Sequence, residues 1–226
     1  MMHWAIDTQI EQFSFSEALA QVSQQRREHV LRFRHEHDRR LSLAAYLLLQ
    51  RMLSEHYDVS EPPLFDFLSN GKPVLRNHSD IFFSLSHCHE AVACAVGSVP
   101  VGIDVESLSN YDEGLLAPTM NAYEQQLILR SPNPPQTFLR LWTMKEGLLK
   151  MTGEGIVNDM RSVLQPLHTQ LQESKLQNSS LFTLHSKKIL HSSLLRHLSI
   201  RTLSAQSARR IQRRHQSAAA RDKKAS

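Results

Sequence analysis

A chain of 226 residues, 41% of them hydrophobic, can bury one large core or two small ones in contact, so its stability does not require disulfide staples. Its two cysteines, Cys88 and Cys94, fit neither a disulfide framework nor a CxxC metal pair, which points to a reducing, cytoplasmic compartment. The net charge of +4 is unevenly spread: residues 1–160 hold 13 Lys or Arg against 20 Asp or Glu, and residues 161–226 hold 13 against two, which argues against a nucleic-acid-binding body and leaves a basic tail.

In chain order, the opening MMHWAIDTQIEQF carries Asp7 and Glu11 and no apolar run, so no secretory leader is expected. No stretch reaches the roughly 18 apolar residues of a membrane span. Between residues 23 and 56, Val30, Phe33, Leu41, Ala44, Ala45, Leu48 and Leu49 recur at helical intervals, which predicts one long helix or two consecutive ones. Asn70 to Pro73, NGKP, reads as a turn. IFFSLSHC (81–88) and AVACAVG (91–97) read as strands joined at His89 and Glu90, and VGIDVE (101–106) as a continuation of the same sheet. Residues 121–129 are helical in pattern, PNPPQ (132–136) interrupts, and TFLRLWTMKEGLLKMTG (137–153) is a strong helix stopped by Gly153. All seven Gly, both Trp and all four Tyr precede residue 160, and Phe182 is the only aromatic residue beyond it. RRIQRRHQSAAARDKKAS lacks a β pattern, and LLRHLSIRTLSAQ is ambiguous.

Three features bear on chemistry. Asp104 and Glu106 stand two apart on a predicted strand, so both carboxylates leave one face while Ile103 and Val105 enter the core. Paired carboxylates repel unless a cation lies between them, and a hard divalent ion with a phosphate substrate suits such oxygens; an ordinary solvated face is the plainer reading of the pair alone. Glu146 and Lys150, four apart, share a helical face, where a surface ion pair would satisfy the same spacing. Ser86 and His87 end an apolar strand, a place where ligand-binding groups collect. Consecutive His87, Cys88 and His89 alternate faces and have no second ligand pair at finger spacing, which disfavours zinc. Neither a GxxxxGK[ST] loop nor a GxGxxG fingerprint is present.

Taken together, GKP (71–73), FSLSHC (83–88), GIDVE (102–106) and WTMKEGLLKMTGEG (142–155), with the helical RREHVLRFRHEHDRRLSLAAYLLL, resemble the surfactin-type 4′-phosphopantetheinyl transferases over roughly residues 20–163. The resemblance implies an α+β fold of two similar halves related by a pseudo-twofold, here 1–98 and 99–163. A basic Ser/Leu/Arg-rich tail at 164–226 would then be disordered or unlike the family. It implies a cytoplasmic monomer that moves the 4′-phosphopantetheine arm of coenzyme A onto a serine of an apo acyl or peptidyl carrier protein, as a holo-[acyl-carrier-protein] synthase does, with release of 3′,5′-ADP. The implied magnesium, or manganese in its place, would rest on Asp104, Glu106 and Glu146. Lys150 would hold the pyrophosphate, Lys72, Ser86 and His87 the nucleotide, and Arg26 and Arg40 the 3′-phosphate end. Glu146, or else Glu106, would take the serine proton. The rival expectations are an impaired coenzyme A-binding relative and an interaction protein acting through its basic tail; no membrane partner is expected.

Overall fold

The computed structural model describes residues 1–155, 159–165 and 198–204, the last as backbone. Strand β1 (Met2–Asp7) is followed by helices α1 (Phe15–Gln21), α2 (Gln24–Leu31) and α3 (Glu36–Tyr57). The helical stretch is thus two helices, α2 and α3. Ser23 starts α2 by accepting from the Arg26 amide at 3.2 Å, as an N-cap serine does, while α3 ends on Asp58 at φ 55°.

Strands β2 (Phe65–Phe67) and β3 (Pro73–Leu75) form a hairpin around the predicted NGKP turn, with Gly71 at φ 82° supplying the left-handed residue. β4 (Phe82–Cys88) and β5 (Ala91–Gly97) pair antiparallel about His89 and Glu90, and β1 adds to the far side of β5, so the sheet order is β1-β5-β4. One face of this sheet, with Phe83, Val92, Cys94 and Val96, meets Leu41, Ala45, Leu48, Leu49 and Met52 of α3 in the larger core. The other face is small: Ala91, Ala93 and Ala95 meet Val101, Ile103 and Val105 of β6 (Val101–Ser107).

β6 does not continue that sheet, as its sequence suggested; it pairs with β7 (Leu198–Ser204) in a sheet of its own, from Val101↔Ser204 to Ser107↔Leu198. Between β4 and β6 the bonds run through side chains: Ser84 Oγ accepts from the Ile103 amide at 3.2 Å and Ser86 Oγ from the Val105 amide at 3.3 Å. Side-chain hydroxyls hold the two strands without a backbone ladder, and among the described residues the edge of β4 has no strand partner. β7 lies within the stretch whose pattern was ambiguous, and Leu164, at the start of the tail, is buried in the second core; apart from these and residue 165 the basic tail lies outside the described residues, and with it the expectation of disorder.

After β6 come the short α4 (Leu116–Thr119), α5 (Ala122–Leu129) and α6 (Pro134–Thr152). The expected break at PNPPQ separates α5, which ends at Leu129, from α6, which begins at Pro134 and not at Thr137: Asn133 Oδ1 accepts from the Gln136 amide at 3.2 Å, and Pro134 and Pro135 occupy first-turn positions that need no donor. Gly153, at φ 80°, ends the helix as its position predicted. α6 lies against β6 at two glycines; a Cβ on Gly102 would stand 1.9 Å from the Gly147 carbonyl oxygen. The second core, with Met120, Ile128, Phe138, Leu139 and Leu148, packs α5 and α6 together.

Candidate active site

Alternation along β6 sorts its side chains. Ile103 and Val105 are fully buried in the core, and Gly102, Asp104 and Glu106 leave the opposite face, toward α6. The glycine contact brings α6 close enough for its polar stripe to meet those carboxylates. Trp142, Glu146 and Lys150, each four residues from the next, form that stripe, and all three line one cleft with Asp104 and Glu106. The remaining wall comes from Arg26, His29 and Phe33 at α2 and just after it, Ser42 and Ala45 of α3, and Leu85, Ser86 and His87 on the open edge of β4. The volume is about 480 Å³, within the usual size of small-molecule sites.

At its centre Lys150 Nζ donates to Asp104 Oδ1 at 2.6 Å and to Ser86 Oγ at 2.9 Å, and Ser86 Oγ donates to Asp104 Oδ1 at 2.7 Å. Asp104 is only 3% exposed. Its Oδ2, like Glu146 Oε1, is buried without a hydrogen-bond partner among the described residues, which is costly for a carboxylate oxygen unless a proton or cation meets it. Burial raises the Glu146 pKa above the ordinary carboxylate value, and the charges of Asp104 and Glu106 raise it further against the opposing pull of Lys150.

The basic wall is perturbed in the opposite sense. Arg26 Nη2 donates to the Ser42 carbonyl and to Ser42 Oγ, the latter at 2.8 Å, and its guanidinium lies 5.2 Å from the Tyr46 ring centre. Burial lowers its pKa to about 10, which leaves it charged at neutral pH; its Nε is buried and unpartnered. His87 at the rim has its pKa lowered by desolvation first and by Lys150 second, and His29 by desolvation, Arg26 and Arg32.

The cleft therefore gathers Arg26, Ser86, His87, Asp104, Glu106, Glu146 and Lys150 from the sequence candidates. Two others lie elsewhere. Lys72 Nζ donates to the Met151 carbonyl at 2.7 Å, beside an Asn70-to-Gly153 bond of the same length, and so ties the β2–β3 turn to the end of α6. Arg40 pairs with Glu11 at 3.3 Å and Glu36 at 3.2 Å and donates to the Phe13 carbonyl; neither residue lines the cleft. Sequence reasoning missed His29, Phe33, Ser42 and Trp142. His29 was recoverable, since it shares a helical face with Arg26, whereas Ser42 and Phe33 had no signal of their own. It also passed over Lys145, fully buried in α6, whose Nζ donates to Glu124 Oε2 and to the Thr119 and Met160 carbonyls at 2.7 to 2.8 Å.

The oxygens suit a hard divalent cation: the buried Asp104 and half-buried Glu146, each with one buried oxygen lacking a partner among the described residues, beside Glu106, are the donor chemistry that magnesium takes. Among the described residues no three carboxylate, His or Cys groups stand as a ready-made metal cluster, and Lys150 is the cation that meets Asp104. None of the described helices is long and apolar enough to cross a membrane.

Comparison with known proteins assigns the chain to a family. Residues 100–217 match the 4′-phosphopantetheinyl transferase superfamily, and residues 7–98 match the family described as 4′-phosphopantetheinyl transferase, N-terminal. The chain is 37% identical over 138 residues to the 4′-phosphopantetheinyl transferase psf-1 of Bacillus pumilus, covering 60% of this chain and 59% of that one. It is 30% identical over 156 residues to the 4′-phosphopantetheinyl transferase Sfp of Bacillus subtilis, covering 68% and 70%. With the 4′-phosphopantetheinyl transferase HetI of Nostoc the identity is 32% over 160 residues, covering 66% and 65%. The matched stretch thus spans less than two thirds of the psf-1 and HetI chains. Both halves of the chain are matched, and one conclusion follows: the chain belongs to the 4′-phosphopantetheinyl transferase superfamily.

Proposed function

We propose that the cleft transfers 4′-phosphopantetheine from coenzyme A to a serine hydroxyl of an apo acyl or peptidyl carrier protein, with magnesium, releasing 3′,5′-ADP. The observation that carries this reading is the convergence, in one cleft, of the buried Asp104 and the half-buried Glu146, each with one buried oxygen that has no hydrogen-bond partner among the described residues, with the cationic Lys150 and Arg26. Asp104, Glu106 and Glu146 would hold the metal, which when bound neutralises charge on the pyrophosphate. Lys150, donating to Asp104 Oδ1 in this structure, is near enough to offer its ammonium to the same phosphate oxygens. Arg26, His29 and His87 provide cationic or hydrogen-bonding groups for the remaining phosphate, and Phe33 and Trp142 provide apolar walls.

The serine oxygen forms a bond to the pantetheine-side phosphorus while the bond from that phosphorus to the bridging pyrophosphate oxygen breaks, and the nucleotide leaves as 3′,5′-ADP. The serine proton goes to a carboxylate. Glu146 is first in line and Glu106 second, each reaching the hydroxyl directly or through water. Positioning and fixed charge account for the rate, with no covalent enzyme intermediate.

Both cysteines are free and buried, which accords with a reducing cytoplasm, and we take the acting species to be a monomer. Incubation with coenzyme A, Mg²⁺ and several apo carrier proteins, followed by intact-protein mass spectrometry, tests the reading. A carrier mass gain of one arm, lost on Asp104→Ala and on chelation, supports it. Coenzyme A binding without transfer to any carrier would replace it with the impaired-relative reading, and salt-sensitive nucleic-acid binding without transfer with that of an interaction protein.

A further inference from the structure

Ser86 is only 6% exposed, and its hydroxyl is fully used. The single proton goes to Asp104 Oδ1 at 2.7 Å, and the oxygen accepts from the Val105 amide at 3.3 Å and from Lys150 Nζ at 2.9 Å. A hydroxyl has one donor and two acceptor sites, and in this structure all three are occupied. Ser84, two residues earlier on the same face of β4, makes the matching bond to the Ile103 amide at 3.2 Å. Holding the seam between β4 and β6 is therefore a task both serines perform. What Ser86 adds is its bond to the carboxylate.

We propose that Ser86 is a positioning residue for the metal ligand Asp104: its hydroxyl, with Lys150, engages Oδ1 and fixes the carboxylate so that Oδ2 is the oxygen left for a cation. This rests on the reading of Asp104 as a metal ligand. Loss of a group that orients a ligand in this way typically costs about 10–100-fold in metal affinity. Two features support the assignment. The carboxylate is buried, so water cannot substitute for the lost hydroxyl at no cost, and Oδ2 has no hydrogen-bond partner. Ser86 also joins the two halves of the cleft, since its bonds run from β4 to β6 and α6.

The test is Mn²⁺ binding to the full chain without coenzyme A, followed by electron paramagnetic resonance of free Mn²⁺, with thermal melts to verify folding. Ser86→Ala is expected to weaken binding at least about tenfold and Ser86→Thr to restore it to within about threefold of the parent, the range over which ligand-orienting groups act. Ser84→Ala is expected to leave it unchanged. Ser86→Cys, nearly isosteric and a poor donor, gives the same reading as Ser86→Ala if that variant does not fold. Equal weakening by Ser84→Ala and Ser86→Ala overturns the proposal in favour of seam integrity alone. Parent-like binding by Ser86→Ala, with binding lost in Asp104→Ala, overturns it and leaves the metal reading standing. Parent-like binding by Asp104→Ala overturns both.

Discussion

Lys150 holds a buried carboxylate and a hydroxyl with one ammonium, an arrangement that the i,i+4 spacing from Glu146 did not reveal. A fixed cation of this kind does most for catalysis where charge develops and water is excluded. Lys150→Ala is expected to lower turnover in the carrier-modification assay by about 10²-fold, in line with removal of a preorganised charge stabiliser, while circular dichroism stays native. His29 offers a pH test. Its pKa is lowered in the folded chain, first by desolvation and then by Arg26 and Arg32, so the unfolded state binds the proton more tightly. Stability linked to His29 is therefore present above the ordinary histidine value and is lost as pH falls through that value toward the lowered one. Melting temperatures between pH 7.5 and 5 should fall less steeply in His29→Gln than in the parent, and identical slopes would remove His29 from the account.

Helix α6 is the element that the site depends on most, because it carries Trp142, Glu146 and Lys150 on one face and Lys145 on another. Lys145 and Glu124 are both completely buried, with 2.7 Å between Nζ and Oε2. The ammonium also takes carbonyls before α5 and in the turn at Met160–Ser162. Burial lowers its pKa even against the pull of Glu124. Glu124 in turn closes a capping box on Asn121, so one ion pair fastens the start of α5, the middle of α6 and the turn that follows. Lys145→Met leaves a buried carboxylate without its cation and is expected to cost about 3–5 kcal/mol in urea unfolding, whereas pairing it with Glu124→Leu should recover part of that loss. The adjacent Glu146 lies on the cleft side, so neighbouring residues of the KE pair serve the scaffold and the site respectively.

The two sheets meet through serine hydroxyls and are closed on the far side by β7, which pairs with β6 along its whole length. A chain ended at residue 165 loses that partner and bares a strand that carries Asp104 and Glu106. It is expected to aggregate or to lose most transfer activity, as an uncovered edge does, and size-exclusion chromatography of the shortened chain checks this. Much of the architecture was legible in the residues. The turn at NGKP, strands β4 and β5, the alternation that puts Asp104 and Glu106 on one face, and the glycine stop of α6 all follow from local steric and periodic rules that act within a few positions. The same rules found the break at PNPPQ but began α6 at Thr137 and not at Pro134, because a proline suits the first turn of a helix as well as a boundary. They could not show that β6 leaves the first sheet or that an ambiguous, basic stretch pairs with it, since strand pairing is settled by partners remote in the chain. Nor could they separate Arg26, which reaches the cleft, from Arg40 and Lys72, which are taken up by Glu11, Glu36 and the end of α6. Residue type and spacing set what chemistry each side chain can do; the packing of α6 on β6 at Gly102 and Gly147 set which of them meet, because long side chains find their partners only once the backbone has brought distant segments together.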